Sequence, residues 1–419
     1  MVQSAPPEVW SFFTGAMGLD LGLEQAGLSI TLANEINPLY CKTILVNRPD
    51  VQLLPDGIEH LTGPYLRSAR SFHDDVYMMV GGPPCQSFSS GGKRASLADS
   101  RGNLMYEYLR LIGEVRPQYF ILENVANLTT AALRHRPIAQ RPGKHWSLKR
   151  YDTQTCNRHG DAPPLQPDEL SGSAIRKLLP DIQQLQYRIT FGVLDAADFG
   201  APQHRLRFIM LGSRDGPAPA LPAPTHGPSG SGLNPFRTVR QAIASIQHDP
   251  GPGSQYTAPV KRYFDLVPSG GNWRDLPPRL QPEALGGSWS AGGGKTGFYR
   301  RLPWDAPSPT ITGRANRKGS ALCHPEVSRP ISVREAATLQ GFPPEWQFAG
   351  SMNAQYQQIG NAVPVPLGKA VANAILHQGS TDGHSDELEL GFDEMLNLAI
   401  ARLRSTARNK RRASRSAAA

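Results

Sequence analysis

Hydrophobic and polar residues follow two alternating periods over the first 125 residues of the chain. Short runs rich in apolar and β-branched residues predict strands at Val9–Phe13, Ser29–Asn34, Val76–Val80 and Tyr119–Glu123. Stretches with a helical period lie between them and predict helices at Leu19–Ala26, Pro38–Asn47 and Asn103–Val115. This order predicts a doubly wound α/β sheet, in which ligands bind outside the carboxyl ends of the strands.

The pattern changes after residue 130. Residues 130–170 are polar and Pro-rich, which indicates an insertion. A helix at Leu178–Gln186 and strands at Tyr187–Leu194 and Arg207–Gly212 are then predicted to extend the sheet.

The remaining chain is less regular. Residues 213–235 form a Pro/Gly/Ser linker, and the Gly-rich residues 236–329 show little helical period. These features predict a second, smaller, irregular β-rich domain. Helical patterns return at Ser332–Leu339 and Pro366–Leu376, whereas the composition of residues 405–419 predicts a disordered end.

We therefore expect three parts in the chain. A larger domain covers residues 1–224 and is completed by about 355–376. The smaller domain covers residues 225–354. A C-terminal extension, acidic and then basic, covers residues 377–419.

The formal net charge of +9 is unevenly distributed. Residues 376–400 carry six Asp/Glu and no Lys/Arg, and residues 401–419 carry seven Lys/Arg and no acid. Residues 225–329 hold thirteen basic and six acidic side chains, a net +7. A focused basic region attracts polyanions such as nucleic acids, although a merely soluble basic surface is the alternative on charge alone.

The cysteines and the termini suggest a compartment. The chain has four scattered cysteines: Cys41, Cys85, Cys156 and Cys323. Scattered thiols suit a reducing cytoplasm, and no metal site is expected because Cys156 and His159 lack a second ligand pair. The start of the chain does not resemble a secretion signal, and no run of 18 apolar residues predicts a membrane span.

The first candidate site is the Gly-rich turn F-T-G-A-M-G-L-D-L-G at residues 13–22, directly after the first strand. Such a turn lets the backbone approach a ligand and directs N–H groups at it, or is only a tight turn. Glu35 ends the next strand, where a carboxylate can accept hydrogen bonds from ribose hydroxyls.

The second candidate is GGPPCQSFS at residues 81–89, which follows a predicted strand. Two prolines stiffen the approach to Cys85, and polar neighbours distinguish it from an ordinary buried cysteine. The following Ser/Gly-rich segment contains Ser89, Lys93 and Arg94 and resembles a basic lid over a polyanion. A nearby cation also favours the thiolate, the reactive form of cysteine.

Two further motifs place charged residues at strand ends. Glu123 closes the strand before Asn124 and Val125, where a carboxyl group can act as general acid. Arg205 and Arg207 alternate along a strand and therefore point to one side. Two guanidinium groups on one face indicate anion or nucleobase binding, with a solvated edge strand as the alternative.

Together these motifs resemble the DNA cytosine-5 methyltransferase family, in the form found in prokaryotic modification enzymes. The resemblance covers most of residues 9–376 and includes five motifs in the family's order: GGPPCQSFS, Glu123-Asn124-Val125, Gln203-x-Arg205-x-Arg207, RPISVREAATLQGFP at 329–343 and QIGNAVPVPLGKAV at 358–371. Two positions depart from the family pattern. Met17 replaces a glycine of the first motif, and Gly57 separates Asp56 from Ile58 in the third.

The resemblance implies a fold, a cofactor and a mechanism. The fold is an S-adenosylmethionine-dependent, Rossmann-like methyltransferase sheet. Cys85 is implied to attack C6 of a flipped cytosine, because addition of a thiolate activates C5 for methylation. Glu123 would protonate N3, Arg207 would contact the base, and Arg205 would support the loop or a phosphate.

The family motifs also imply binding residues and partners. The implied S-adenosylmethionine contacts are Phe13, Gly15, Gly18, Glu35, Asp56, Ile58, Pro83, Asn361 and Val363. Residues 225–329 stand in the place of the target recognition domain, and the candidate DNA contacts are Ser89, Lys93, Arg94, Arg300, Arg301, Thr310, Arg314, Arg317 and Lys318. The expected partner is double-stranded DNA, bound by a monomer in the cytoplasm, with a separately encoded restriction endonuclease as a further expected partner.

Two rival functions remain open on the sequence. One is the same chemistry on RNA, as in the tRNA-methylating branch of this family. The other is a catalytically silent DNA-binding relative, although intact Cys85, Glu123, Arg205 and Arg207 argue against it.

Overall fold

The computed structural model describes residues 6–70, 75–84, 103–134, 166–290, 297–377 and 390–416. Seven of its strands form one sheet: β1 Glu8–Phe12, β2 Ser29–Asn34, β3 Gln52–Leu54, β4 Met78–Gly81, β5 Tyr119–Val125, β6 Arg188–Asp195 and β7 Leu206–Ser213. Their order across the sheet is β3-β2-β1-β4-β5-β7-β6. Pairing from β3 to β5 is parallel, and β7 runs antiparallel to both β5 and β6. The predicted mixed α/β architecture is confirmed.

Helices connect and cover these strands. The described helices of the first part are α1 Gly18–Glu24, α2 Pro38–Asn47, α3 Gly63–Arg70, α4 Asn103–Val115 and α5 Ser173–Gln184. Those that follow are α6 Val239–Ile243, α7 Ala258–Phe264, α8 Gln281–Leu285, α9 Val333–Gln340, α10 Met352–Asn361, α11 Val365–Leu376 and α12 Phe392–Ser416. None of these helices is long and apolar enough to span a bilayer.

Both faces of the sheet are buried. Side chains alternate across a strand, so Phe120 and Leu122 of β5 point to one face and Ile121 to the other. The first two belong to a core that includes α4 and α5, and Ile121 belongs to a core that includes α1, α9, α10 and α11. Burial on both faces explains the nearly continuous apolar runs of these strands.

Helix α11 packs against α1 at glycine positions. A Cβ atom on Gly22 would lie 2.4 Å from the carbonyl oxygen of Val365, and one on Gly368 would lie 2.6 Å from that of Leu19. The two helices can approach this closely only because both positions lack a side chain. Helix α11, near the end of the matched motifs, therefore packs in the same core as α1, near the start of the chain.

The prediction of a β-rich second domain is wrong for the part of it that the structure describes. Residues 225–290 and 297–329 contain short helices, single β-bridges and a pair of two-residue strands, β8 His226–Gly227 and β9 Asn234–Pro235. Prolines at the first turns of α7 and α8 suit helix starts and cannot donate to a strand ladder. The region is irregular, as predicted, and has its own aromatic cluster around Phe264, Trp273 and Tyr299.

The predicted disorder also differs from the structure over residues 405–416, which belong to α12; residues 417–419 lie outside the described residues. The first half of α12 is held on the sheet edge. Phe392 contacts Phe191 at 5.1 Å between ring centroids, and Met395, Leu396 and Ala399 are buried. The prediction of disorder considered only the composition of the basic end. The helix begins in the amphipathic segment before it and continues from there.

Candidate active site

A cleft of about 730 Å³ lies at the carboxyl ends of β1, β2, β4 and β5. This is the position that the doubly wound fold predicts for a ligand site. Twelve of the residues singled out in the sequence line it: Phe13, Gly15, Gly18, Glu35, Ile58, Pro83, Glu123, Arg205, Arg207, Thr310, Asn361 and Val363.

The turn after β1 takes an unusual backbone path. Phe13, Gly15 and Met17 all have positive φ, at 54°, 60° and 65°. Glycine adopts this region freely, whereas Phe13 and Met17 each cost about 1 kcal/mol or more. Met17 therefore takes a left-handed backbone conformation that glycine adopts more easily, and its side chain is fully buried in the core.

Gly18 serves packing as well as the cleft. A Cβ atom there would lie 2.4 Å from the carbonyl oxygen of Val363 and 2.9 Å from Cβ of Ala362. This contact brings the segment 361–363 to the rim of the cleft.

Glu35 is fixed by backbone donors. Its carboxylate accepts hydrogen bonds from the amide of Gly15 at 2.9 Å and the amide of Asn37 at 2.8 Å. Burial raises the pKa of Glu35, and these backbone donors oppose the rise. The carboxylate still has acceptor capacity for a further donor in the cleft.

Glu123 and Arg207 form an ion pair inside the cleft. Arg207 Nε lies 2.7 Å from Glu123 Oε1, and their side chains are 11% and 13% exposed. The N–H bond of Nε is not directed at this oxygen, so the contact is electrostatic rather than a well-aligned hydrogen bond. Gly82 makes room for the carboxylate, since a Cβ atom there would lie 2.8 Å from Glu123 Oε2.

The balance of charges sets the acidity of Glu123. Burial raises its pKa above the ordinary value, and the guanidinium groups of Arg207 and Arg205 oppose that rise. A raised pKa favours the protonated carboxyl group, the form that can act as a general acid.

Arg205 ties three segments together. Its guanidinium is buried and donates to the carbonyl oxygens of Ile311 and Gly360, both at 2.7 Å. Gln203, two residues earlier, accepts from the amide of Ile311 at 3.2 Å. The first two residues of the Q-x-R-x-R motif therefore hold neighbouring segments, and the third reaches Glu123.

Two of the predicted contacts, Asp56 and Arg300, do not line the cleft. The side chain of Asp56 is exposed and does not line the cleft, and its backbone oxygen accepts a hydrogen bond from Asn34 at 2.8 Å. Thus the inserted Gly57, together with Ile58, occupies the rim in its place. Arg300 is half-buried in the smaller region.

Arg301 was predicted to contact DNA, and the structure contradicts this. It is 4% exposed and donates to the carbonyl oxygens of Val267, His324 and Phe264 and to the hydroxyl of Ser328. Its guanidinium therefore stabilises the interior of the smaller region. In contrast, Arg314, Arg317 and Lys318 are exposed.

Four predicted site residues lie outside the described residues: Cys85, Ser89, Lys93 and Arg94. The segment that leads to Cys85 is described as far as Pro84. The side-chain amide of Asn124 donates to the carbonyl oxygen of Pro83 at 3.1 Å, which links this segment to β5.

Asp20 and Tyr40 are among the cleft residues that were not predicted from the sequence. Asp20 is 2% exposed and lines the cleft from the first turn of α1. Tyr40 accepts a hydrogen bond from Asn361 at 3.1 Å. A lone acid within the otherwise apolar run L-D-L-G was the available signal for Asp20, whereas Tyr40 has no local signal because it sits in an ordinary helix.

Comparison with known proteins identifies the family to which the chain belongs. The family model for C-5 cytosine-specific DNA methylases matches residues 8–137 and 168–377. The chain therefore belongs to this family of DNA-methylating enzymes.

Individual relatives agree with this assignment. Type II methyltransferase M.Sau96I of Staphylococcus aureus is 32% identical over 372 residues, covering 88% of this chain and 75% of that protein. Type II methyltransferase M.Eco47II of Escherichia coli is 33% identical over 374 residues, covering 88% and 78%.

Solved structures share the fold. A protein encoded within an Escherichia coli prophage and described as a DNA modification methyltransferase superposes with a TM-score of 0.60 at 20% identity, covering 88% of this chain and 99% of that one. A mutant of Spodoptera frugiperda DNMT2 gives a TM-score of 0.52 at 15% identity, covering 88% and 99%.

Proposed function

We propose that this protein transfers a methyl group from S-adenosylmethionine to C5 of cytosine in a specific double-stranded DNA sequence. In this proposal it is a cytoplasmic, monomeric modification enzyme of a restriction-modification system, accompanied by a separately encoded endonuclease. The observation that carries the proposal is the buried Glu123–Arg207 pair, which shares one cleft with Glu35 and the glycine turn in a chain of this family.

The described residues fit S-adenosylmethionine. Gly15 has no heavy atom closer than 3.9 Å to the place of a Cβ atom, so its backbone is open to a ligand. The carboxylate of Glu35 suits ribose hydroxyls, and Ile58 and Phe13 offer apolar surface. The proposed contacts are Phe13, Gly15, Gly18, Glu35, Ile58, Pro83, Asn361 and Val363. When bound, this cofactor supplies a methyl group on a positively charged sulfur.

In the proposed mechanism the chain activates the flipped base. The thiolate of Cys85 adds to C6 of cytosine while the carboxyl group of Glu123 delivers a proton to N3, and the electron pair of the C5–C6 double bond becomes available at C5. After methylation, a base removes the proton from C5 and the C6–sulfur bond breaks. This returns the thiolate and the double bond, and N3 gives its proton back to Glu123.

Arg207 and Arg205 have different roles in the proposed mechanism. Arg207 lies beside Glu123 and would stabilise the charge that the carboxylate regains when it gives up its proton. Arg205 holds the segments of Ile311 and Gly360 around the base site. Its role is to position these segments rather than to bind phosphate.

DNA recognition is proposed for the smaller region, residues 225–354. Its exposed cations Arg314, Arg317 and Lys318 are the candidates for phosphate or base contacts. The candidates Arg300, Thr310, Ser89, Lys93 and Arg94 complete the proposed interface, and Arg301 is left out of it.

Methylation of purified nucleic acids tests the proposal. With labelled S-adenosylmethionine, the purified protein should label a plasmid at one recurring sequence, and sequencing should locate 5-methylcytosine there. Equal amounts of tRNA should take up no label. Labelled tRNA and unlabelled plasmid would establish the RNA-methylating alternative, and no label in either substrate would favour a silent DNA-binding relative.

A further inference from the structure

Helix α12 lies outside the part of the chain that matches the family. The family model ends at residue 377, and the mechanism above gives α12 no role. The first half of the helix is nevertheless fixed to the rest of the protein. An ion pair joins Asp393, near its start, to Arg176 of α5. A second ion pair joins Arg402 to Asp198, so the helix is held at two points along its length.

The contacts of α12 define the direction in which it runs. Phe392 lies against Phe191 of β6, and Ala399 shares a small apolar cluster with Val193, two residues further along that strand. Arg402 pairs beyond the carboxyl end of β6. The helix therefore runs in the same direction as β6. Because β6 and β5 are both antiparallel to β7, their carboxyl ends lie at the same edge of the sheet, which is the edge of the cleft.

The helix also passes next to the wall of the cleft. Val125 lines the cleft, and the following residue, Ala126, belongs to the same apolar cluster as Ala399. Thr406 is still buried, at 9% exposure. From there the helix continues to Ser416, a length of about 15 Å at 1.5 Å per residue. Its last part therefore extends past the edge at which a flipped cytosine would enter.

Charge is separated along this extension. Residues 376–400 carry six Asp/Glu and no Lys/Arg, whereas residues 407–416 carry five Lys/Arg and no acid. Within the basic segment the sequence places arginines three and four residues apart: Arg408, Arg411, Arg412 and Arg415. Like charges at these spacings destabilise a helix, and a bound polyanion removes the repulsion. The extension thus keeps its acids away from the cleft edge and directs its cations toward it.

We propose that residues 407–416 form a DNA-binding arm that contacts the sugar–phosphate backbone of the duplex at this edge. Lysine and arginine neutralise phosphates, and such contacts add affinity for every sequence rather than for one. The arm acts beside the smaller region, to which recognition of the sequence is assigned above. This inference rests on the proposed function, because it assumes that DNA is bound at the cleft.

The salt dependence of DNA binding tests the arm in the full chain. The arm variant is Lys410→Gln/Arg411→Gln/Arg412→Gln. The matched control removes three exposed lysines that lie on other helices and do not line the cleft: Lys42→Gln/Lys177→Gln/Lys369→Gln. Both variants lose three positive charges, so an effect of net charge alone is the same in both.

The arm variant should have a shallower slope of the logarithm of the DNA-binding constant against the logarithm of salt concentration. The expected change is about 0.9 for each lost phosphate contact, and therefore up to about 2.7. The loss of affinity should be equal for duplexes with and without the methylated sequence, because phosphates carry no sequence information. The single-turnover methylation rate at saturating DNA should equal that of the wild type, and the control variant should keep the wild-type slope.

Amide hydrogen exchange of the wild type gives a second measurement that does not depend on the variants. The backbone amides of residues 407–416 should exchange more slowly when duplex DNA is bound, because phosphate contacts stabilise this part of the helix. Peptides from α5, which is not part of the proposed arm, serve as the internal control and should exchange at the same rate with and without DNA.

The other outcomes are distinguishable. A wild-type slope in the arm variant, or exchange of residues 407–416 that DNA does not change, overturns the proposal. Equal losses in the arm variant and the control show an effect of net charge alone, and a loss confined to the methylated sequence shows base recognition; both outcomes contradict a backbone-binding arm. A wild-type protein that binds neither duplex would overturn the proposed function, and this inference with it.

Discussion

Replacement of Arg301 by methionine tests whether this arginine stabilises the fold or contacts DNA. The guanidinium makes three buried hydrogen bonds, to Val267 O at 2.8 Å, His324 O at 2.9 Å and Phe264 O at 2.6 Å, and a partly buried one to Ser328 Oγ at 2.8 Å. Methionine fills much of the volume but donates to none of these acceptors.

The magnitude follows from these contacts. A hydrogen bond from a charged group contributes about 1.5–3 kcal/mol, and four of them in one cluster are not additive. The cost of burying the guanidinium is removed at the same time, which offsets part of the loss. We therefore expect Arg301→Met to lower the free energy of unfolding by about 3–5 kcal/mol, near the upper end for a single substitution.

Chemical denaturation followed by tryptophan fluorescence measures this loss, since Trp273 lies in the same small core. The matched comparison is Arg317→Gln, an exposed cation of the same region. Arg317→Gln should change the free energy of unfolding by less than about 0.5 kcal/mol. If Arg317 contacts a phosphate, the slope of the logarithm of the DNA-binding constant against the logarithm of salt concentration should become shallower by about 0.9. Arg301→Met, measured at a temperature where it is folded, should keep the wild-type slope. A stable Arg301→Met protein with a reduced slope would refute this reasoning and return Arg301 to the DNA interface.

Three more predictions follow from the site and the domain organisation. Glu123→Gln should lower the single-turnover methylation rate by at least about 100-fold, because an amide cannot deliver the proton to N3, while DNA affinity in gel shifts changes little. An equal fall in rate and affinity would leave Glu123 only a positioning role. Met17→Gly should destabilise the protein by about 2 kcal/mol in denaturant, because loss of a buried side chain outweighs relief of the φ of 65°, and a gain in stability would contradict this. Exchange of residues 225–329 for the matching segment of a relative with another known target should change the methylated sequence, and an active fusion that keeps the original site would show that specificity lies elsewhere.

Elements with strong local signals could be predicted from the sequence. The bounds predicted for α2 and α4 agree with the structure, and α2 shows why. Asn37 caps its first turn by accepting from the amide of Leu39, and Pro38 occupies the first helical position. The position of Glu35 directly after β2 was predicted, whereas β5 continues two residues beyond its predicted end at Glu123.

Properties that depend on tertiary burial could not be predicted. Arg301 counts as one more positive charge in the sequence, and only the folded region encloses it among carbonyl oxygens. Likewise, Asp20 becomes a cleft residue because the distant segment 361–363 packs onto Gly18 and closes that side. The β-rich prediction for residues 236–329 was wrong because glycine and proline content indicates irregular backbone without deciding between short helices and short strands.

Trapping of a covalent adduct is the most direct test of the proposed catalysis by Cys85. Duplex DNA with 5-fluorocytosine at the methylated position, incubated with the protein and S-adenosylmethionine, should give a complex that survives denaturing electrophoresis, because fluorine cannot leave as a proton does and the C6–sulfur bond remains. Peptide mapping should find the nucleotide on Cys85, and Cys85→Ser should bind the same DNA without forming the complex. A stable complex linked to Cys41, Cys156 or Cys323, or methylation at wild-type rate by Cys85→Ser, would contradict the account.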